Sequence, residues 1–197
     1  MSIDNQIEAK IKTHKAGAIL LSEDFQNLSN PGAVKVALHR LAKRGGLIRI
    51  ARGIYAKPKY SELVGEILPS TEEIAKAIAK RDRARILPTG TYALHVLGLS
   101  TQIPLKLVYL TDGSPRKITI GKRTIQFKKT TPKNLALKGD ISKLVVQALR
   151  EIEKSKATDE EINKIIALLK KEDPKKLKHD IALAPQWIAE IMVKALQ

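Results

Sequence analysis

From Asn30 to Ala56 the chain reads NPGAVKVALHRLAKRGGLIRIARGIYA, and the order of features in this stretch decides the fold. Asn30 can cap a helix, and Pro31 falls at the first helical position, where its missing N–H costs nothing. Val34, Ala37, Leu38 and Leu41 recur at the spacing of a buried stripe. Gly45-Gly46 then ends the helix with a left-handed cap. Two short apolar runs follow, Leu47-Ile48-Arg49-Ile50 and Gly53-Ile54-Tyr55-Ala56, split by Ala51-Arg52, and they predict a tight hairpin.

Charge is ordered along with the pattern. Between Asp24 and Glu62 there is no acidic residue, yet Lys35, Arg40, Lys43, Arg44, Arg49, Arg52, Lys57 and Lys59 all lie there. The polar face of the helix carries Gly32, Lys35, Val36, His39, Arg40 and Lys43. A solvated face would be expected to mix both signs, whereas this one has positive and neutral groups only. Helix, glycine stop and basic hairpin in that order describe the reading half of a winged helix-turn-helix, so duplex DNA is the expected partner.

In such a module the helix enters the major groove and the hairpin straddles the neighbouring backbone. Gly32, Ala33, Lys35, Val36, His39 and Arg40 fall at the base-reading end. Lys43, Arg44, Arg49, Arg52, Lys57 and Lys59 are the expected phosphate contacts. Six such contacts give a log–log salt slope of roughly −5.

The flanking sequence completes the first domain, over about residues 1–60. Ile3, Ile7 and Ile11 mark an amphipathic first helix over residues 3–13. Ala18-Ile19-Leu20-Leu21 is a strand fragment that can pair with the hairpin, and Ser22, Glu23 and Asp24 suit the start of a short helix over about 23–28.

The second part, read as residues 69–197, is a mixed α/β domain with a small antiparallel sheet and C-terminal helices, which makes the whole chain α+β. Ser70 and Glu73 form a capping box. Thr89-Gly90-Thr91 opens a short helix closed by Gly98, and Leu105 to Leu110 is an apolar run rich in strand formers. Arg116 to Ile120 and Thr124 to Lys129 alternate around a Gly121-Lys122 hairpin turn. A second acid-free window runs from Gly113 to Gly139, and its Arg116, Lys117, Lys122, Arg123, Lys128 and Lys129 form a second basic surface. Amphipathic helices follow from Ile141, from the Thr158/Glu161 capping box, from Asp173-Pro174 and from Pro185.

Composition bounds the rest. The chain has 197 residues, 43% apolar but only 4% aromatic, so its cores must be built from Ile, Leu, Val and Ala. The net charge is +16, and residues 1–60 contribute 11 basic and 4 acidic side chains to it. Residues 61–135 hold 13 and 6, whereas residues 136–197 hold 12 and 10. The positive field therefore belongs to the first two thirds, where it attracts polyanions. With no cysteine, disulfides and zinc–thiolate sites are excluded. Met1-Ser2-Ile3-Asp4 lacks a signal-peptide core, and no stretch approaches the roughly 18–20 apolar residues of a membrane span, so a cytoplasmic protein without membrane contact is expected.

An enzyme finds no support in the motifs. His14, His39, His95 and His179 lack metal-ligand spacing, and His95 reads as a satisfied histidine in an apolar helix. Glu72-Glu73, Glu151/Glu153 and Glu160-Glu161 fit helix surfaces and first turns better than acid–base work. Phosphate-binding glycine loops and a GxSxG elbow are absent, and no cofactor is expected. An RNA-binding module using the basic strand region 113–139 is the alternative reading.

The run from Ala33 to Ala56 resembles the N-terminal winged-helix domain of AbiEi-type antitoxins, transcriptional regulators of type IV toxin–antitoxin systems. Ala93-Leu94, Leu97-Gly98-Leu99-Ser100-Thr101-Gln102 and Pro104 resemble that family's following domain. The resemblance covers residues 1 to about 135 and weakens in the C-terminal helices. It implies a repressor that binds inverted repeats upstream of its own operon. A nucleotidyltransferase-like toxin encoded next door is the implied protein partner.

Overall fold

The computed structural model describes residues 2–153 and 156–197. Its fold is mixed α+β, with small sheets that are antiparallel except for one parallel pair in the second unit, and a set of C-terminal helices. The chain divides into two compact units, one reaching to Arg81 and one from Asp82 to Gln197. Sequence patterning opens the second part near Pro69, whereas the structure assigns the helix Thr71–Arg81 to the first unit.

The first unit begins with helix α1 (Ile3–Lys12), capped by the Ser2 side chain. Strand β1 (Ile19–Leu21) follows, and helix α2 (Pro31–Lys43) starts where the Asn30 side chain accepts the Ala33 N–H at 2.9 Å. Strands β2 (Ile48–Ala51) and β3 (Ile54–Ala56) form the hairpin, and β1 pairs with β3 to give an antiparallel sheet ordered β1-β3-β2. Val34, Ala37, Leu38 and Leu41 are buried as their spacing requires. They close over Ile7, Ile11, Leu20, Phe25, Leu47 and Tyr55 in one apolar core.

Two glycines set the direction of the chain after α2. Gly45 takes φ +77°, and its N–H donates to Ala42 O while Gly46 N–H donates to Leu41 O. This paired pattern satisfies the last carbonyls of the helix. Gly53, at φ +73°, closes the hairpin in two residues, and a Cβ there would lie 2.9 Å from Ser22 Oγ.

The helix expected over about 23–28 is absent, and a single 3-10 turn, Ser22–Phe25, takes its place. Asp24 turns its carboxylate back onto the Leu21 N–H at 2.7 Å. Lys10 Nζ claims the Asp24 carbonyl, and the Leu28 N–H bonds three residues back to Phe25 O. The Leu28 N–H thus returns three residues rather than the four of an α-helix, which is the tighter geometry. Sequence patterning also left residues 60–66 unassigned. They form a small hairpin, β4 (Tyr60–Ser61) with β5 (Gly65–Glu66), before α3 (Thr71–Arg81).

In the second unit, β6 (Ile86–Thr89), β7 (Lys106–Thr111), β8 (Arg116–Ile120) and β9 (Arg123–Lys129) form a sheet ordered β6-β7-β9-β8. The β7–β9 pair is parallel and the other two are antiparallel. Helix α4 (Thr91–Val96) lies between β6 and β7 in sequence, and its Tyr92 ring meets Tyr109 edge-on. The tail contains α5 (Asp140–Ile152), α6 (Asp159–Leu169), α7 (Pro174–Ile181) and α8 (Gln186–Val193). Val145, Leu149, Ile165, Leu169, Leu177, Ile188 and Met192 join in one core.

The start of α5 is held by a carboxylate from a distant helix. Asp180, fully buried, accepts the Lys138 and Gly139 N–H groups at 2.8 Å each, the Ser142 hydroxyl, and His179 Nδ1 at 2.8 Å. Glu172 accepts the Ile141 N–H at 2.7 Å. Burial pushes the Asp180 carboxyl up, but the hydrogen bonds from Ser142, His179 and the two backbone groups outweigh it and hold it below the usual range.

The unfolded chain has an ordinary Asp pKa near 3.9, so the stabilisation from Asp180 is present above that pH and disappears as pH falls through the lower folded value. Asp180→Asn should therefore cost roughly 2–4 kcal/mol in urea unfolding at pH 7, with the gap to wild type shrinking below about pH 4. A gap unchanged at pH 3 would show that the charge contributes nothing. Gly53→Ala should destabilise by about 1–2 kcal/mol and by more than Gly45→Ala, whose added Cβ meets nothing within 4 Å.

Candidate nucleic-acid interface

Helix geometry distributes the polar residues of α2 once the apolar stripe is buried. At about 100° per residue, Gly32, Val36 and Lys43 fall on the outermost ridge. Lys35 and His39 flank it on one side, and Arg40 and Arg44 on the other. Lys35, Val36, His39, Arg40, Lys43 and Arg44 are all exposed, and Ala33 is half-buried at the capped first turn.

The side carrying Lys35 and His39 faces the hairpin. There Lys35, His39, Arg49, Arg52 and Tyr55 line one cleft of about 410 Å³, together with Ser22, Glu23 and Gly53. Burial pushes the Tyr55 hydroxyl up, and the Arg49 charge partly offsets this. Glu23 is the acidic member of the cleft, and its carboxylate pairs with Arg81 Nη1 at 2.9 Å. Four basic groups from two elements thus converge on one concave surface whose acidic member is already neutralised.

Other expected contacts are engaged elsewhere. Arg40 donates to Asp4 Oδ1 at 2.6 Å, and Arg44 lies 4.0 Å from Asp4 Oδ2. Asp4 belongs to α1, so this acid lies outside the acid-free window and was not legible as a partner. Lys57 donates to His14 O at 2.5 Å and to Lys12 O at 3.3 Å, serving carbonyls at and just beyond the end of α1. Lys59 sits beside Gly17. Glu73 is held below the usual carboxylate range first by hydrogen bonds from Ser70 and then, in smaller part, by Lys59.

The second basic surface also divides. Arg116 is half-buried, pairs with Asp82 and holds its guanidinium 5.7 Å from the Phe127 ring centroid. Lys117, Lys122, Arg123, Lys128 and Lys129 are exposed on β8, β9 and the turn between them. His95, expected to be satisfied, stacks at 6.5 Å on Tyr92 and leaves Nδ1 enclosed without a hydrogen-bond partner among the described residues. Among the described residues no group of three or more His, Asp or Glu side chains could hold a metal. None of the helices among them is long and apolar enough to cross a membrane.

This division is open to a stability measurement. Lys57→Met should cost about 1–2 kcal/mol, because it strands carbonyls that Lys57 now serves, whereas Lys35→Met should stay within about 0.5 kcal/mol of wild type. Equal losses in urea unfolding would mean that Lys35 is also structural.

Comparison with known proteins adds the following. No curated protein matches the chain. The crystal structure of RV2827C protein from Mycobacterium tuberculosis superposes with a TM-score of 0.45 at 12% identity, over 98% of this chain and 81% of that one. A family model matches residues 6–177, and the chain accordingly belongs to the family of unknown function DUF6088.

Proposed function

We propose that the first unit is a winged helix-turn-helix that binds duplex DNA through α2 and the β2–β3 hairpin. The observation that carries this reading is the convergence of Lys35, His39, Arg49 and Arg52 on one cleft beside an outward ridge of Gly32, Val36 and Lys43. The small residue at position 32 lets the first turn of α2 come close to base edges, and Val36 offers an apolar contact for a thymine methyl group. Arg49 and Arg52, on the hairpin, are placed to hold backbone phosphates.

The protein is on this reading a transcriptional regulator. The resemblance to AbiEi-type antitoxins supports binding to inverted repeats upstream of its own operon, and inverted repeats match two copies of a reading helix in opposite orientations. The same resemblance supports a nucleotidyltransferase-like toxin as protein partner. Toxicity of an adjacent nucleotidyltransferase gene, relieved by co-expression of this chain, would carry the antitoxin half of the proposal; persistent toxicity would remove it.

Footprinting on the upstream region, with anisotropy titrations against salt, tests the DNA half. Lys35→Ala and Arg49→Ala should each weaken binding about tenfold, equivalent to about 1.4 kcal/mol. Four cleft or ridge cations on phosphates should contribute about −4 to the log–log salt slope. Asp4→Ala should tighten non-specific binding several-fold, because it removes a negative charge shared by Arg40 and Arg44. Binding that is indifferent to Lys35 and Arg49 would sink the assignment of the cleft.

A further inference from the structure

The sheet of the second unit has one face that no part of the proposed regulator uses. Burial alternates with sequence along β7 and β8 and through the middle of β9. Leu107, Tyr109, Ile125 and Phe127 point into the core. The other face presents Lys106 and Val108 from β7, Lys117 and Thr119 from β8, and Gln126 and Lys128 from β9. Lys106, Lys117, Thr119 and Lys128 are exposed, and no acidic residue occurs in any of the three strands.

Register brings the lysines together. Lys117 pairs directly across from Gln126, Lys128 lies two residues along β9, and Lys106 sits diagonally opposite through its pairing with Thr124. The three Cα positions therefore surround Gln126 at about 5–8 Å. None of the three lysines has an ion pair or a side-chain hydrogen bond among the described residues.

A lysine on an exposed strand is commonly a guard against edge-to-edge pairing. That accounts for Lys117, because β8 is the edge of the sheet. It does not account for the grouping with Lys106 and Lys128, which pair across β7–β9 with Thr124 and Leu110, so that neither faces a carboxylate across the strands. A cluster of like charges without acidic neighbours is unfavourable in the isolated chain and favourable against a polyanion.

We propose that this face is a second, sequence-independent contact for the phosphate backbone of duplex DNA, with Lys106, Lys117 and Lys128 as its charged groups. The absence of aromatic side chains decides between nucleic-acid forms. Sheets that bind single strands stack bases on outward aromatic rings. Here Tyr109 and Phe127 both face inward, so the surface offers charge and hydrogen bonds but no stacking platform. The inference does not depend on the cleft beside α2.

The test is a salt titration of the full chain on a duplex of arbitrary sequence, comparing wild type with the triple variant Lys106→Gln, Lys117→Gln, Lys128→Gln. Removing three phosphate contacts should make the log–log salt slope shallower by about 2.7 and weaken binding by roughly several-hundred-fold near 0.1 M salt. Preference for the upstream region over random duplex should be unchanged, and an unaltered urea transition shows that the variant is folded. An unchanged slope overturns the proposal, and so does a loss seen with RNA but not with duplex DNA. Lys35→Ala as the partner arm separates the two sites: Lys35 lies at the base-reading end of α2, so its loss should reduce preference for the upstream region, whereas the lysine variant should not.

Discussion

Burial of one stripe of α2 governs the rest of the first unit. Val34, Ala37, Leu38 and Leu41 must be taken out of water together, and α1, the β1–β3 pair and Leu47 are what they close against. Once that stripe is fixed, helical geometry leaves no freedom in where the cations go. Lys35 and His39 must face the hairpin, Lys43 must face outward, and Arg40 and Arg44 must face α1 and its Asp4. The chemistry of the surface is thus a consequence of how the core closes.

The cap at Gly45-Gly46 transmits that constraint to the hairpin. Because both glycine N–H groups return to carbonyls of α2, Leu47 follows directly into the core and β2 starts at a fixed angle to the helix. Gly53 then reverses the chain in two residues while its carbonyl accepts the Ser22 N–H at 2.9 Å. A longer or looser turn would lose this bond, and with it the placement of Arg49 and Arg52 beside Lys35 and His39.

The second unit relies on a different device. Gly139 has no side chain with which to cap α5, and a Cβ at that position would press on the Ser142 hydroxyl and the Glu172 carboxylate. The orphan N–H groups at the start of the helix are satisfied instead by Glu172 and Asp180, which follow about thirty and forty residues later in the chain. A buried carboxylate among backbone donors at a positive helix end is favourable because the site was organised for charge.

Sequence by itself determined the local elements of this protein, because their signals lie within a few residues of one another. Asn30-Pro31, the four-residue apolar stripe, Gly45-Gly46, the Gly121-Lys122 turn and the Thr158/Glu161 box all state a helix end or turn through short-range hydrogen bonds and fixed φ angles. Tertiary structure alone decided what the charges do. That Arg40 meets Asp4, that Lys57 serves carbonyls at and beyond the end of α1, that Lys10 reaches the Asp24 carbonyl and that Asp180 caps α5 are contacts between residues 14 to 45 positions apart. Periodicity shows which side of a helix is polar; only the packing of one element on another shows which of its cations are already taken.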